Sequence, residues 1–274
     1  MNKSTFSVVL TISALMPVVT HANIVSSLNE ASFSYLSLKQ NYSETEGVAT
    51  LDSESGTIPG IGVTLRATNR RGAYGQLGLR YFSGNDTYVG ALQNGTPANG
   101  LTGNRILEFE GRLGQAFDVA TDMTVLPYLE AGIRTWKRNL GGPEPYTETY
   151  RNDWIGAGVK ELFAPRWAGA TQPLVLSLSG SIATTFSGSM ATSGLVNYGV
   201  PDESFGLGDH VRYALGLDAD YALTDILHLR IGARWEQFGY GASAPVPIGG
   251  GYEMLEPDSA TREFILHAGV AASF

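Results

Sequence analysis

The sequence predicts an all-β fold, a transmembrane antiparallel up-and-down β-barrel of ten strands, and three features carry that expectation. Ten stretches alternate apolar and polar residues with period two, the mark of a strand with two unlike faces. The connections between them alternate long and short along the chain. The last stretch ends on an aromatic: Phe264, Leu266, Ala268, Val270, Ala272 and Phe274 are apolar and two residues apart, so they share one face, while His267, Gly269 and Ser273 take the other.

The ten runs lie at approximately 31–42, 60–69, 73–84, 103–117, 124–138, 147–163, 172–186, 207–221, 225–240 and 259–274. The ninth is the clearest, with Leu227, Leu229, Ile231, Ala233 and Trp235 on one face and His228, Arg230, Gly232, Arg234 and Glu236 on the other. The eighth sets Val211, Tyr213, Leu215 and Leu217 against Arg212, Gly216, Asp218 and Asp220. The fourth sets Leu107, Phe109 and Leu113 against Glu108, Glu110 and Arg112. A soluble sandwich has strands of about five or six residues. These runs are longer and reach the about 9–11 residues that cross a bilayer.

Residues 43–59, 85–102, 139–146, 187–206 and 241–258 are long connections or rich in Gly and Pro. Asn69–Gly72, Asp118–Met123 and Ala222–Thr224 are short, and Ala164–Thr171 is intermediate. An even strand count whose first connection is long places both termini on the side of the short turns.

The chain opens with Lys3, an apolar run from Phe6 to Val19, and Thr20-His21-Ala22. This describes a cleaved secretory signal peptide over 1–22, leaving 23–274 as one barrel domain. The apolar run is shorter than the about 20 residues of a spanning helix. Without cysteine, neither disulfides nor thiolate metal sites are available. Mean hydropathy near zero does not argue against a membrane, because lipid-facing and lumen-facing residues cancel in any averaging window.

The final strand resembles the C-terminal strand of bacterial outer-membrane β-barrel proteins, small single-chain barrels closed by a terminal Phe. The resemblance implies a Gram-negative outer-membrane location, reached through the signal peptide, with Phe264, Leu266, Val270 and Phe274 as the signal read by the barrel assembly machinery. It also implies contact with outer-membrane lipid and lipopolysaccharide.

With the apolar faces toward lipid, the lumen receives Arg66, Arg80, Arg112, Arg134, Lys160, Arg212, Arg230 and Arg234, together with Glu108, Glu110, Glu130, Asp218, Asp220 and Glu236. Eight strands leave room only for side chains and sixteen leave a water channel. Ten strands therefore predict a filled lumen in which these charges pair. The alternative is a narrow, cation-preferring channel lined by them. Tyr81, Trp136, Trp154 and Trp235 near outer strand ends, and Phe117, Phe163, Trp167 and Tyr221 near the opposite ends, are expected in interfacial girdles.

The long connections hold Glu44, Glu46, Asp52, Glu54, Asp86, Glu144, Asp202, Glu203, Glu253, Glu256 and Asp258 and no Lys or Arg. Much of the net charge of −8 would thus sit at the outer rim. Such a field disfavours nucleic acid and attracts cations or basic surface ligands, divalent ions bridging to lipopolysaccharide among them. No calcium-loop pattern, nucleotide fingerprint or His-x-x-x-His spacing points to a cofactor or metal.

Ten strands is also the number in the omptin proteases, where an Asp pair faces an Asp/His pair around an activated water at the outer rim. The nearest residues here are Asp86 and Asp209-His210. Adjacent residues point to opposite faces, so the omptin spacing, two residues apart on one face, is not met. A Ser/His lipid hydrolase would draw on His228, His267, Ser177, Ser179 and Ser181, all expected in the lumen rather than at the lipid rim. The reading is a non-enzymatic structural or surface-binding barrel, adhesin-like. The narrow channel is the alternative, and a rim protease or lipid hydrolase stands third.

Overall fold

Each alternating run forms a strand. The computed structural model describes residues 24–47, 49–91, 97–141, 145–165 and 174–274. Its barrel strands are β1 (Glu30–Glu46), β2 (Ala49–Thr68), β3 (Ala73–Ala91), β4 (Pro97–Gln115), β5 (Met123–Leu140), β6 (Tyr146–Phe163), β7 (Leu174–Ser193), β8 (Val211–Ala222), β9 (Leu227–Tyr240) and β10 (Asp258–Ser273). Every strand pairs antiparallel with its neighbours in sequence. β1 pairs with β10 from Glu30↔Ser273 to Thr45↔Asp258, which closes the ring and removes both sheet edges. The expected signal segment, Trp167 and Glu144 lie outside the described residues.

The outward faces carry a band of exposed apolar side chains: Phe33 and Tyr35 in β1, Ile61 to Leu65 in β2, Leu77 to Tyr81 in β3, Leu107 to Leu113 in β4, and Phe264 to Val270 in β10. Leu129 and Ile133, Ile155 and Val159, Leu178 and Ile182, Leu215 and Leu217, and Leu229 and Ile231 continue it around the ring. A contiguous apolar band around a whole barrel is not sustained in water. It is the lipid-facing belt of a membrane barrel.

Above this belt the strands run on. The stretch 43–59, expected as a loop, is instead the upper part of β1 and β2, whose pairing continues to Glu46↔Ala49. Residues 85–91 and 97–102 likewise extend β3 and β4. Outside the membrane most positions on both faces of these segments are polar, with Leu51, Val89 and Leu101 as exposed exceptions, so the apolar alternation fades although the ladder does not.

At the other end the turn Asn69–Gly72 is tight. The Asn69 side chain accepts from the Arg71 and Ala73 backbone N–H groups at 2.8 and 3.0 Å, and Gly72 has φ +82°, open to glycine without strain. A short helix, α1 (Ile24–Ser27), leads into Leu28, which packs with Tyr74, Leu126, Tyr128, Leu162 and Val175 to close the lower mouth.

Two girdle expectations fail. Trp136 and Trp154 are buried inside the barrel, because each shares the strand parity of inward groups: Trp136 lies between Arg134 and Arg138, and Trp154 follows Asn152. Tyr81, Phe117, Phe163 and Tyr221 are exposed, and Trp235 is half-buried.

Phe264, Leu266, Val270 and Phe274 all stand on the outer face, and the Phe274 N–H donates to the Asn29 carbonyl at 3.1 Å across the barrel seam. Deleting Phe274 should lower the folded, heat-modifiable fraction in the outer membrane by about tenfold, with little effect on refolding into detergent. Equal loss in both settings would mean that the residue acts through the seam and not through recognition by the assembly machinery.

Candidate functional site

The lumen is occupied in layers, and its chemistry follows from which inward positions meet at each height. Nearest the lower mouth, Glu30 accepts from Arg66 at 2.8 Å and from Arg230 at 2.7 Å. Arg230 also lies 3.6 Å from Asp220 and 3.7 Å from Asp218. His228 Nδ1 is 2.6 Å from Asp220, and His267 Nε2 is 3.0 Å from Asp218. Ser177 donates to Asp218 at 3.3 Å and Ser181 to Glu130 at 2.9 Å. These histidines and serines belong to the charge network.

At mid-height, Glu110 bonds Arg112 at 2.8 Å and Arg234 at 3.1 Å. Glu236 is held by Arg80 at 3.0 Å and, more closely, by Arg212 and Arg234. Glu108 pairs with Arg80, with Arg134 at 3.2 Å and with Arg212 at 3.4 Å, and Glu263 binds Arg134. Through these two layers Arg66, Arg80, Arg112, Arg134, Lys160, Arg212, Arg230 and Arg234 face Glu30, Glu108, Glu110, Glu130, Asp218, Asp220, Glu236 and Glu263. The signs balance one for one, as burial requires, since an unpaired charge there costs several kcal/mol. A residual cavity of about 120 Å³, bordered by Arg66, Arg112, Lys160 and His267, has room for a few water molecules.

An apolar layer lies above the charges. Tyr42 meets Trp136 edge-on at 5.0 Å, Trp136 stacks on Tyr150 at 5.3 Å, and Tyr150 tilts onto Tyr240 at 5.1 Å. Met190, Phe205, Leu207 and Phe238 fill the rest. Phe205 comes from a short strand, Ser204–Gly206, that pairs back onto β7. Val246 and Met254, from the hairpin Val246–Gly249/Tyr252–Met254, pack on top.

Over this layer sits an acidic mouth with, among the described residues, one buried cation. Arg138 donates to Glu148 at 2.7 Å, Glu54 at 2.8 Å and Glu44 at 3.1 Å, and lies 4.0 Å from Asp52. Its guanidinium rests on the rings of Tyr42, Trp136 and Tyr150. The Tyr150 hydroxyl donates to Glu256, and Tyr42 donates to Glu44 at 2.8 Å. Here carboxylates far outnumber cations. Burial, with Glu44 adding to it, pushes Asp52 up to about 8. Burial next to Glu54 pushes Asp86 up to about 7, and Glu148 and Glu256 are raised by burial as well.

The acidic residues expected in loops therefore divide. Glu44, Glu54 and Glu256 are buried around Arg138, with Asp52 half-buried beside them, which corrects their assignment to an exposed rim. Glu46, Asp202, Glu253 and Asp258 are exposed, and Glu203 is half-buried. Asp202 accepts from the Leu195 N–H at 2.8 Å and so fastens its own loop.

Asp86 is buried against Gly56, where no Cβ would fit. His210 is half-exposed, 3.6 Å from Asp258, and Asp209 is exposed. β3 and β8 lie on opposite sides of the ring, with the aromatic layer filling the barrel between its walls, so Asp86 and His210 are not brought together. Among the described residues no three His, Asp or Glu side chains are arranged to hold a metal ion.

Sequence reasoning missed Arg138, Glu30, Glu148 and Glu263. The parity of Arg134-x-Trp136-x-Arg138 and of Glu263 next to outward Phe264 carries the signal for two of them.

No protein-family model matches the chain, and no curated protein matches it in sequence. Among solved structures, it is similar to the outer membrane protease OmpT from Escherichia coli at TM-score 0.59 and 10% identity, over 92% of this chain and 99% of that one. It is also similar to Neisserial surface protein A at TM-score 0.35 and 12% identity (89% and 97% covered). The β domain of the Bordetella autotransporter BrkA gives TM-score 0.44 and 12% identity (90% and 100% covered). The fold is that of the outer-membrane β-barrels.

Proposed function

We propose that this chain is a closed, non-conducting outer-membrane barrel whose outer mouth binds a basic partner surface, in the manner of an adhesin. The observation that carries the reading is the occupied lumen: a balanced charge network, an aromatic layer and a folded mouth stand one above another where a channel would need water. What remains for recognition is the outer end. There Tyr252 and Leu255 are exposed in the segment that carries Glu253 and Asp258, Val196 is exposed in the one that carries Asp202, and the described segments 194–210 and 241–257 hold no Lys or Arg. Segments that expose aromatic and aliphatic side chains and carry one sign of charge suit a basic protein surface.

The refolded protein is expected to leave a planar bilayer silent once insertion is verified. In nanodiscs it should bind immobilised poly-lysine in a salt-sensitive manner and ignore heparin. A combined Tyr252→Ala, Glu253→Gln and Asp258→Asn variant should weaken the poly-lysine binding by about tenfold. Discrete conductance steps would restore the channel reading, and preference for heparin would reverse the charge argument.

A further inference from the structure

One inward row across β1–β4 collects polar side chains that have nothing to bond. Gln40 in β1 is the register partner of Gly56 in β2, and Asp86 in β3 is the register partner of Thr102 in β4. Gly56 joins the two pairs. The Asp86 carboxylate fills the space that a Cβ at Gly56 would need, so it lies over β2 on the side of Gln40. Gln40 and Thr102 are fully buried and Asp86 is 1% exposed.

Among the described residues, both amide atoms of Gln40, both carboxylate oxygens of Asp86 and the Thr102 hydroxyl lack a hydrogen-bond partner. Glu54 stands two residues above Gly56 on the same face of β2. Its Oε1 accepts from Arg138 at 2.8 Å and its Oε2 is unpartnered. Buried polar side-chain atoms in folded proteins are in the large majority bonded, and a run of orphaned ones calls for a bound species. A carboxylate buried without donors is costlier still.

The donors on offer identify that species. The row presents oxygen, with no imidazole or thiolate to favour zinc. Two carboxylates bring negative charge, and the Gln40 carbonyl and Thr102 hydroxyl are neutral oxygens. Calcium takes six to eight such oxygens in loose geometry, whereas magnesium demands a compact octahedron.

We infer that the row is a calcium site built from Asp86, the free oxygen of Glu54, Gln40 Oε1 and Thr102 Oγ1. A cation there ties four consecutive strands together beneath the mouth and offsets part of the carboxylate excess around Arg138. It does not depend on the basic partner proposed for the outer surface.

The test uses the full refolded protein in detergent, stripped with EDTA and held at pH 8. Asp86 is ionised there, since burial beside Glu54 raises it only to about 7. Titration calorimetry with calcium, magnesium or sodium chloride is paired with hydrogen exchange. Calcium should bind one ion per chain, at least about tenfold more tightly than magnesium or sodium, and should slow exchange at the upper ends of β2 and β3 several-fold. Asp86→Asn, which keeps the shape and removes the charge, should weaken calcium by about tenfold or more, and Gln40→Leu and Thr102→Val each by a smaller factor. Glu46→Gln, which removes an exposed carboxylate from the same end, should bind as the unaltered protein does. Absence of calcium binding overturns the site without relying on any variant. Equal affinity for magnesium or sodium overturns the choice of ion. Calcium binding that survives in a folded Asp86→Asn protein, or that Glu46→Gln abolishes, places the ion on the exposed acidic surface and overturns the row.

Discussion

Replacing Glu236 with alanine is expected to cost the barrel about 3–5 kcal/mol, the range for removing one partner of a buried ion pair. Glu236 is fully buried and is shared by Arg80, Arg212 and Arg234, so its loss leaves three guanidinium groups on the two carboxylates Glu108 and Glu110. The cost comes from the stranded cations and not from the missing attraction. A double variant, Glu236→Met with Arg212→Met, should therefore recover part of it, because well-packed apolar groups replace buried pairs at little expense. Urea midpoints of the heat-modifiable band on unboiled gels measure both. A double variant less stable than E236A would mean that the network acts through packing geometry, with charge balance secondary.

The same layer marks how far the sequence can be read. Inside the membrane every strand has a lipid face that must be apolar, so polarity alternates and the inward set, Arg80 and Glu236 included, follows from parity alone. Which carboxylate meets which guanidinium depends on the tilt of the ring and on contacts such as Arg134–Glu263, 129 residues apart in sequence. No local pattern records those. Above the membrane the legibility ends for a different reason. Water accepts polar groups on either face, so Glu44 and Glu54 look like loop residues although they sit in paired strands. Trp136 and Trp154 show the opposite failure, where composition suggested a girdle and parity pointed inward.

Arg138 is the residue on which the outer mouth depends, and its loss should be felt in a pH-dependent way. Glu44, Asp52, Glu54 and Glu148 surround this one cation, and Glu256 is joined to them through Tyr150. Burial raises Asp52 to about 8 and Asp86 to about 7, and it raises Glu148 and Glu256 as well. A carboxyl raised above its unfolded value, about 4, binds its proton more tightly when the mouth is closed. The stability it contributes is fully present below about pH 4. That contribution is lost as pH rises through about 7 to 8, the folded values of Asp86 and Asp52. Hydrogen exchange at the upper ends of β1, β2 and β6 should accordingly quicken by about tenfold or more between pH 5 and pH 9 after correction for the intrinsic rate. In Arg138→Gln the carboxylates lose the only close counter-charge they have among the described residues. The variant should be weakened by about 3–5 kcal/mol at pH 8 and by much less at pH 5, where protons stand in for the guanidinium. Arg71→Gln, on an exposed turn at the far end, should show no such dependence. An Arg138→Gln loss of equal size at both pH values would assign the residue's role to its stacking on Tyr42, Trp136 and Tyr150 and would leave the excess charge to be balanced by some other means.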